Sequence, residues 1–221
     1  MTSVLHADVL PAGAAVGKVR PALRTVLSRL VVAGAIVVLD LWSKSAVFDW
    51  IQRLDAAGEL VVDECGSAHR RYPIVGEWFT FMLSLNPGAA FGQLHSIPYL
   101  LVGGRAIAVL FLVWLLVRTP RGRPWFSAAL VLVLGGALGN LYDNLARTRD
   151  LVQDRYYPLE RFPYGPVRDF IDVYFGVWSW HFPTFNVADA CITVGAVLLL
   201  ASGFFGKDAR SGGVAARAPG A

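Results

Sequence analysis

Residues 125–145 read WFSAALVLVLGGALGNLYDNL. This run is apolar over about 20 residues, which is the length that a helix needs to cross a bilayer. Three further apolar stretches approach that length, at residues 26–47, 98–117 and 187–205. The chain of 221 residues is 55% hydrophobic and has a mean hydropathy of +0.51, values that are typical of a polytopic membrane protein. The sequence therefore predicts an all-α membrane protein with four transmembrane helices.

Basic residues are densest near the two termini and in the short loop between the second and third spans. They are Lys18, Arg20, Arg24, Arg29, Arg118, Arg121, Arg123, Lys207, Arg210 and Arg217. Because short loops rich in Lys and Arg stay in the cytoplasm, both termini are expected to be cytoplasmic, and segments 49–96 and 146–185 extracytoplasmic. The expected organisation is a cytoplasmic N-terminal segment at 1–25, a four-helix membrane domain at 26–205 and a disordered cytoplasmic tail at 206–221.

The two outer segments contain patterns that are typical of strands. Residues 78–85 are aromatic and β-favouring, and Asn86-Pro87-Gly88 follows them as a turn. Residues 170–175 predict a second strand, whereas residues 147–166 predict an inserted loop. Aromatic side chains that suit a bilayer interface lie in or after the second strand. They are Tyr174, Trp178, Trp180 and Phe182.

Composition argues against several kinds of partner. The net charge is only +4, and no basic run is interleaved with aromatic residues, so no nucleic-acid partner is expected. Cys65 lies in a polar stretch and Cys191 in an apolar one, so a disulfide is not predicted. The four histidines are scattered without ligand spacing, and neither a metal nor a cofactor is predicted.

Ionisable side chains inside apolar spans are costly and usually functional. Asp40 and Lys44 lie four residues apart in the outer half of the first span, so on a helix they share one face and can pair. The pair is either a self-neutralising packing element or part of a site. Arg105 lies about a third of the way into the second span. Its side chain either snorkels outward or faces a polar cluster.

The third span ends in such a cluster. Its polar residues are Asn140, Asp143 and Asn144, and the glycines before them are Gly135, Gly136 and Gly139. Small residues let helices approach closely, so the glycines indicate helix packing. The amides either cap and cross-link helices or line a site.

Two carboxylates bracket the second predicted strand and the start of the fourth span. Asn186 can be the N-cap of that helix, with Asp189 favouring its dipole, but this leaves Asp169 unexplained. If the two acids meet, their like charges leave one proton shared between them. The ionised member can then take a proton from water while the protonated member polarises a carbonyl. The pair thus indicates metal-free amide hydrolysis, although paired acids also mark ion pathways.

Four motifs, in this order, resemble those of the lipoprotein signal peptidases (signal peptidase II). Asp40-Leu41-Trp42-Ser43-Lys44 resembles D-x-x-[ST]-K, and Asn86-Pro87-Gly88-Ala89-Ala90-Phe91-Gly92 resembles N-x-G-A-A-F-G. Gly135-Gly136-Ala137-Leu138-Gly139-Asn140-Leu141-Tyr142-Asp143 is similar to G-G-A-x-G-N-x-x-D. Val167-Arg168-Asp169-Phe170-Ile171 and Phe185-Asn186-Val187-Ala188-Asp189 are similar to V-x-D-F-I and F-N-x-A-D. The resemblance extends over about residues 26–205.

The resemblance implies a transmembrane peptidase domain of four helices with a small extracytoplasmic β-cradle. It implies an aspartic endopeptidase of the bacterial inner membrane that cleaves diacylglyceryl-modified prolipoproteins N-terminal to the lipidated cysteine, near the outer face. The implied partners are these prolipoproteins and membrane lipids. Asp169 and Asp189 match the catalytic pair. The substrate-binding or supporting positions that match are Asp40, Lys44, Asn86, Gly88, Gly136, Asn140, Asp143, Asn186 and Ala188.

The chain departs from the family pattern directly after Asp143, where the family has Arg and this sequence has Asn144. Arg147, one helical turn further on, and Arg105 are candidates for supplying the missing charge. The outer segments are also longer than the family pattern implies.

Two other functions would use the same residues. A small transporter or proton channel would need acids distributed through the depth of the bilayer, whereas these acids cluster near one face. A non-catalytic assembly factor would use the glycines and amides for helix packing and would tolerate substitution of the aspartates.

Overall fold

The structure is a computed structural model that describes residues 21–59, 61–62, 70–88, 97–146 and 164–211. Side chains are described in these ranges except at 61–62, 70 and 203–211. The helices are α1 (Leu23–Ala56), α2 (Pro98–Arg118), α3 (Pro124–Ala146) and α4 (Val187–Ser211). The strands are β1 (Val61–Val62), β2 (Arg70–Val75), β3 (Phe79–Asn86), β4 (Val167–Phe175) and β5 (Trp180–Phe185).

Helices α1, α2 and α3 are each long and apolar enough to cross a membrane. The first three predicted spans are thereby confirmed as helices of this kind. In α4 the apolar part with described side chains is Val187–Ser202, which is shorter than a full span, so the fourth span stays a prediction. Helix α4 itself runs to Ser211, beyond the predicted end at residue 205, through a segment with no proline to stop it. Residues 212–221 of the predicted tail lie outside the described residues.

Helix α1 is longer than the predicted span and continues to Ala56. Residues 48–57 contain neither glycine nor proline, and the helix ends just before Gly58, whose φ is +73°. The Trp50 ring in this extension lies edge-on to Tyr72 and Phe81, at centroid distances of 4.7 and 6.3 Å. The start of the expected outer segment is therefore helical and supports the sheet.

Helix α3 packs against each of the other three helices. A Cβ atom at Gly136 would overlap the carbonyl oxygen of Ala188 in α4, and one at Gly139 would overlap the Asp40 carboxylate in α1. The packing interpretation of these glycines is therefore confirmed. An apolar core lies between α1, α2 and α3, formed by Ala33, Val109, Leu116, Leu130, Val131 and Leu134.

The five strands form one antiparallel sheet in the order β1-β2-β3-β4-β5. The two predicted strands correspond to β3 and β4, which pair with Ser84 opposite Asp169. The sequence pattern does not predict β2 or β5, because each contains a proline, Pro73 or Pro183, where the ladder register shifts. The sheet places Asp169 beside the helices.

Arg29, one of the basic residues used to orient the chain, is only 9% exposed. Its guanidinium donates to the carbonyl oxygens of Leu116, Thr119 and Pro120, at 3.2, 2.6 and 3.2 Å. These carbonyls lie at the C-terminal end of α2, where a helix leaves oxygens without internal partners. The same cation therefore fastens α1 to the end of α2.

Candidate active site

Strand β4 and the first turn of α4 bring Asp169 and Asp189 to one place. Asn186 is the N-cap of α4, as predicted, because its side-chain oxygen accepts the N–H of Asp189 at 2.9 Å. Its amide nitrogen donates to Asp169 Oδ1 at 2.6 Å. One side chain therefore holds the carboxylate of Asp169 and the backbone of Asp189 together.

Two further amides donate to the carboxylates. Asn86, at the end of β3, donates to Asp169 Oδ2 at 3.2 Å, and Asn140 of α3 donates to Asp189 Oδ1 at 2.8 Å. The Asn140 oxygen accepts from Asn186 at 3.2 Å, which closes the network. These neutral amides orient both acids without contributing a full charge to either of them.

The two acids lie in different environments. Asp169 is 2% exposed, whereas Asp189 is partly exposed and lines a cavity. Burial, followed by the negative charge of Asp189, raises the pKa of Asp169 to about 7, against the lowering effects of Asn86, Asn186 and Lys44. Asp169 therefore holds its proton up to about neutral pH, and unequal environments of this kind separate acid from base roles.

Lys44 forms the centre of a buried charge cluster behind the carboxylate pair. Its ammonium lies 2.7 Å from Asp40 Oδ2 and 3.3 Å from Asp143 Oδ2, and all three side chains are 0% exposed. It also donates to Asn140 Oδ1 at 2.9 Å. The predicted Asp40–Lys44 pairing is confirmed, and through Asn140 the cluster supports Asp189.

Asp40 and Asp143 each fasten a further element. The second oxygen of Asp40 accepts the backbone N–H of Ala188 at 2.9 Å, which fixes the start of α4. Asp143 accepts from the Arg168 guanidinium at 2.7 and 3.2 Å and from its backbone N–H at 3.1 Å. Arg168 is a site residue that the sequence motifs did not identify, although a basic residue within an apolar strand indicates a buried acidic partner.

A side chain of α2, Arg105, binds the turn that follows β3. The N–H of Gly88 donates to the side-chain oxygen of Asn86 at 2.9 Å, as in an Asx turn. Arg105 donates to the Gly88 carbonyl at 3.2 Å and to the side-chain oxygen of Asn144. Arg105 therefore faces the polar cluster, whereas Arg147 lies outside the described residues.

A cavity of about 500 Å³ lies beside this network. Its polar lining includes Asn86, Arg105, Asn140 and Asp189. Its apolar lining includes Val167, Phe182, Phe185, Ile192 and Val194. The cavity therefore combines an apolar wall with the partly exposed carboxylate.

A second charged cluster, which the sequence pattern did not predict, lies within the sheet. Asp172 is 1% exposed and accepts from Thr80 Oγ1 at 2.9 Å. Its carboxylate lies 3.3 Å from His181 Nδ1 and 3.8 Å from Arg71 Nε. Because these residues come from β2, β3, β4 and β5, the cluster cross-links four strands.

The fold and the site define a class: helical membrane proteins in which a small antiparallel sheet and a helix start hold two carboxylates beside a cavity. The family model for signal peptidase (SPase) II matches residues 32–205. The lipoprotein signal peptidase of Pseudomonas fluorescens Pf-5 is 35% identical over 162 residues, covering 70% of this chain and 82% of that protein. The lipoprotein signal peptidase of Pseudomonas syringae pv. tomato is 36% identical over 165 residues, covering 71% and 83%. The chain belongs to the signal peptidase II family.

A solved structure of a bacterial membrane enzyme shares the fold. Its TM-score is 0.58 at 20% sequence identity, and the match covers 90% of this chain and 98% of the other. Family membership confirms the predicted function of a lipoprotein signal peptidase, and with it a bacterial membrane protein and a protease. It does not favour the transporter or proton channel.

Proposed function

We propose that this chain is an aspartic endopeptidase that removes the signal peptide from diacylglyceryl-modified prolipoproteins, cleaving on the N-terminal side of the lipidated cysteine. The observation that carries the proposal is the bridge made by Asn186, which binds the Asp169 carboxylate at 2.6 Å and the Asp189 backbone at 2.9 Å. The bridge holds an acid that keeps its proton near neutral pH beside one that lines the cavity.

In the proposed reaction the pair begins with one proton, carried by Asp169. Asp189 accepts a proton from water as the water oxygen attacks the scissile carbonyl carbon, and Asp169 hydrogen-bonds to the carbonyl oxygen. The tetrahedral intermediate then breaks its C–N bond, and Asp189 passes the proton to the leaving amine. The water hydroxyl remains on the new carboxyl end of the signal peptide, and the lipidated cysteine gains a free amine.

The cavity supports this substrate class. Its carboxylate and amide lining suits a peptide bond, and its apolar lining, which includes Phe182, Ile192 and Val194, suits the hydrocarbon beside that bond. The acyl chains would remain in lipid while the scissile bond reaches Asp189.

The proposed setting is the bacterial inner membrane. Four spans within residues 26–205 would leave residues 1–25 and 206–221 in the cytoplasm and the carboxylate pair near the outer face. The distribution of basic residues supports this orientation. The exposed aromatic side chains of the β4–β5 hairpin, among them Trp178 at 73% exposure, also suit an interface with lipid.

The proposal is tested with purified protein in lipid vesicles and a precursor in two forms, with and without the diacylglyceryl group on its cysteine. We expect cleavage directly before the lipidated cysteine, identified by mass spectrometry of the product. The unmodified precursor should be cut at least about tenfold more slowly, because each buried methylene adds about 0.8 kcal/mol to anchoring. Equal rates for the two forms, or cleavage at another bond, would contradict the proposal.

The pH dependence of cleavage should report the proton on Asp169. Since its pKa is raised to about 7, kcat/KM should decrease above about pH 7, by about tenfold for each further pH unit. The folded state binds this proton more tightly than the unfolded chain, where an Asp pKa is about 3.9. The free energy of unfolding should therefore decrease as the pH rises from about 4 to 7.

Two variants test whether Asp169 causes the pH dependence of unfolding. Asp169→Asn should remove this component of the pH dependence of unfolding, whereas the same change at the exposed Asp49 should leave it in place. A cleavage rate that stays constant to pH 9 would show that the reaction does not need the proton on Asp169.

A further inference from the structure

Arg105 is a cation in a membrane-spanning helix, and it takes no part in the proton transfers proposed for Asp169 and Asp189. It lies on α2, is partly buried and lines the same cavity as Asp189. A guanidinium keeps its charge under all ordinary conditions. A permanent positive charge therefore lies on the cavity side of the carboxylate pair.

The hydrogen bonds of Arg105 connect the two segments that hold Asp169. One reaches the carbonyl of Gly88, in the turn whose Asn86 side chain binds Asp169. The other reaches Asn144, which in turn holds Gly165 at 2.7 Å, shortly before β4. Through these bonds Arg105 links the turn after β3 to the segment that leads into β4, next to the ladder pair Asn86–Val167.

The other charges that face the carboxylate pair largely cancel one another. Lys44 lies against Asp40 and Asp143, and Arg168 lies against Asp143, so two cations match two anions. Both hydrogen bonds described for Arg105 end on neutral oxygens. Its charge interacts with those of Asp189, Asp169 and Asp143. Among the described residues, Arg105 is thus a cation without an ion-pair partner, and its charge acts on Asp189 and Asp169 in addition to the effect of Lys44 on Asp169.

We propose that Arg105 is a positioning residue that keeps the Asp169–Asp189 pair in its singly ionised form and holds the Asn86–Gly88 turn against Asp169. The inference rests on the proposed function of the pair. A nearby cation favours the ionised form of a carboxylate, so it lowers the pH at which the pair becomes active. The two bonds come from different nitrogens of the planar guanidinium and set the geometry, which the compact ammonium of a lysine does not reproduce.

Three variants separate charge from geometry, with cleavage of the lipidated precursor measured across pH in vesicles. Arg105→Gln should move the whole pH profile upward by about one pH unit, because the positive charge is lost. Arg105→Lys should leave the profile in place and lower kcat by about tenfold or more, because one ammonium does not reproduce the two bond directions of the guanidinium fork. The exchange Arg105→Asn with Asn144→Arg should return the profile toward that of the wild type. Arg118→Gln, an exposed arginine at the other end of α2, is the matched control and should change nothing.

Infrared titration of the carboxylic-acid band gives a readout that does not need activity. In Arg105→Gln this band should persist to higher pH than in the wild type. Coinciding profiles and coinciding titrations in Arg105→Gln and wild type would overturn the inference, as would a shifted profile in Arg105→Lys. If Arg105→Gln does not fold, the lysine and exchange variants decide by the same criteria. Normal processing by Asp189→Asn would instead overturn the proposed function, while the titration would still decide whether Arg105 acts on the pair.

Discussion

Asp189→Asn is expected to lower the rate of precursor cleavage by about 10²–10⁴-fold while the protein still folds. The amide cannot take a proton from water, so the attacking group is never generated. Folding should be retained, because Asp189 accepts one side-chain hydrogen bond, from Asn140. An asparagine can present its own oxygen to that donor.

Asp169→Asn should be equally inactive but less stable. Both oxygens of Asp169 accept from amide donors, Asn86 at one and Asn186 at the other. An asparagine there must place its own NH₂ group against one of these donors, which leaves buried donors without acceptors. The difference in stability between the two variants is therefore a test of the geometry as well as of the chemistry.

The measurement is product formation from a lipidated precursor, together with thermal unfolding of each purified variant. Asp49→Asn, an exposed position on α1, is the matched control and should cleave at the wild-type rate. Processing by Asp169→Asn or Asp189→Asn at more than about a tenth of the wild-type rate would be incompatible with a two-aspartate mechanism.

Lys44→Met is expected to lower the free energy of unfolding by about 3–5 kcal/mol, more than the other substitutions proposed for this site. The change removes the cation between Asp40 and Asp143, and all three side chains are fully buried. It leaves two buried carboxylates, of which Asp143 keeps its ion pair with Arg168 and Asp40 loses the partner that it has among the described residues. It also removes the donor to Asn140, so the orientation of Asp189 and hence catalysis should suffer.

The prediction is checked by thermal or denaturant unfolding in a fixed detergent, with a second substitution as the control. The double variant Lys44→Met with Asp40→Asn should be more stable than Lys44→Met alone, because one unpaired charge is removed with its partner. Asparagine at position 40 can still accept the N–H of Ala188 through its oxygen. Unfolding of Lys44→Met at the wild-type temperature would show that the cluster contributes little.

Local rules predict part of the site. The four-residue spacing of Asp40 and Lys44 is enough to predict their pairing on a helix, and the structure has it at 2.7 Å. The cap formed by Asn186 on the Asp189 backbone is likewise a property of a helix start. The contact between Asp143 and Arg168 is different, because it joins α3 to β4 and depends on how the sheet lies against that helix. No spacing rule encodes it.

The strands also differ in whether the local sequence or the tertiary structure determines them. A continuous β-favouring pattern predicts β3 and β4, whereas β2 and β5 become strands by pairing with these neighbours, each with a proline at an irregular point of the ladder. The extension of α1 past the predicted span likewise depends on a partner. Trp50 finds the rings of Tyr72 and Phe81 only once the sheet has formed.

By itself the sequence determined three membrane helices, the two central strands, the signal peptidase II motifs and the acids proposed for the reaction, because apolar length, local spacing and motif order are properties of neighbouring residues. Only the tertiary structure decided that Asn186 bridges Asp169 and Asp189, that Lys44 supports Asn140, and that Arg105 faces the pair. The physical reason is that these contacts depend on the rotation of each helix about its axis and on strand register. Both are set by close packing over the whole chain, as where Gly136 and Gly139 let α4 and α1 approach α3.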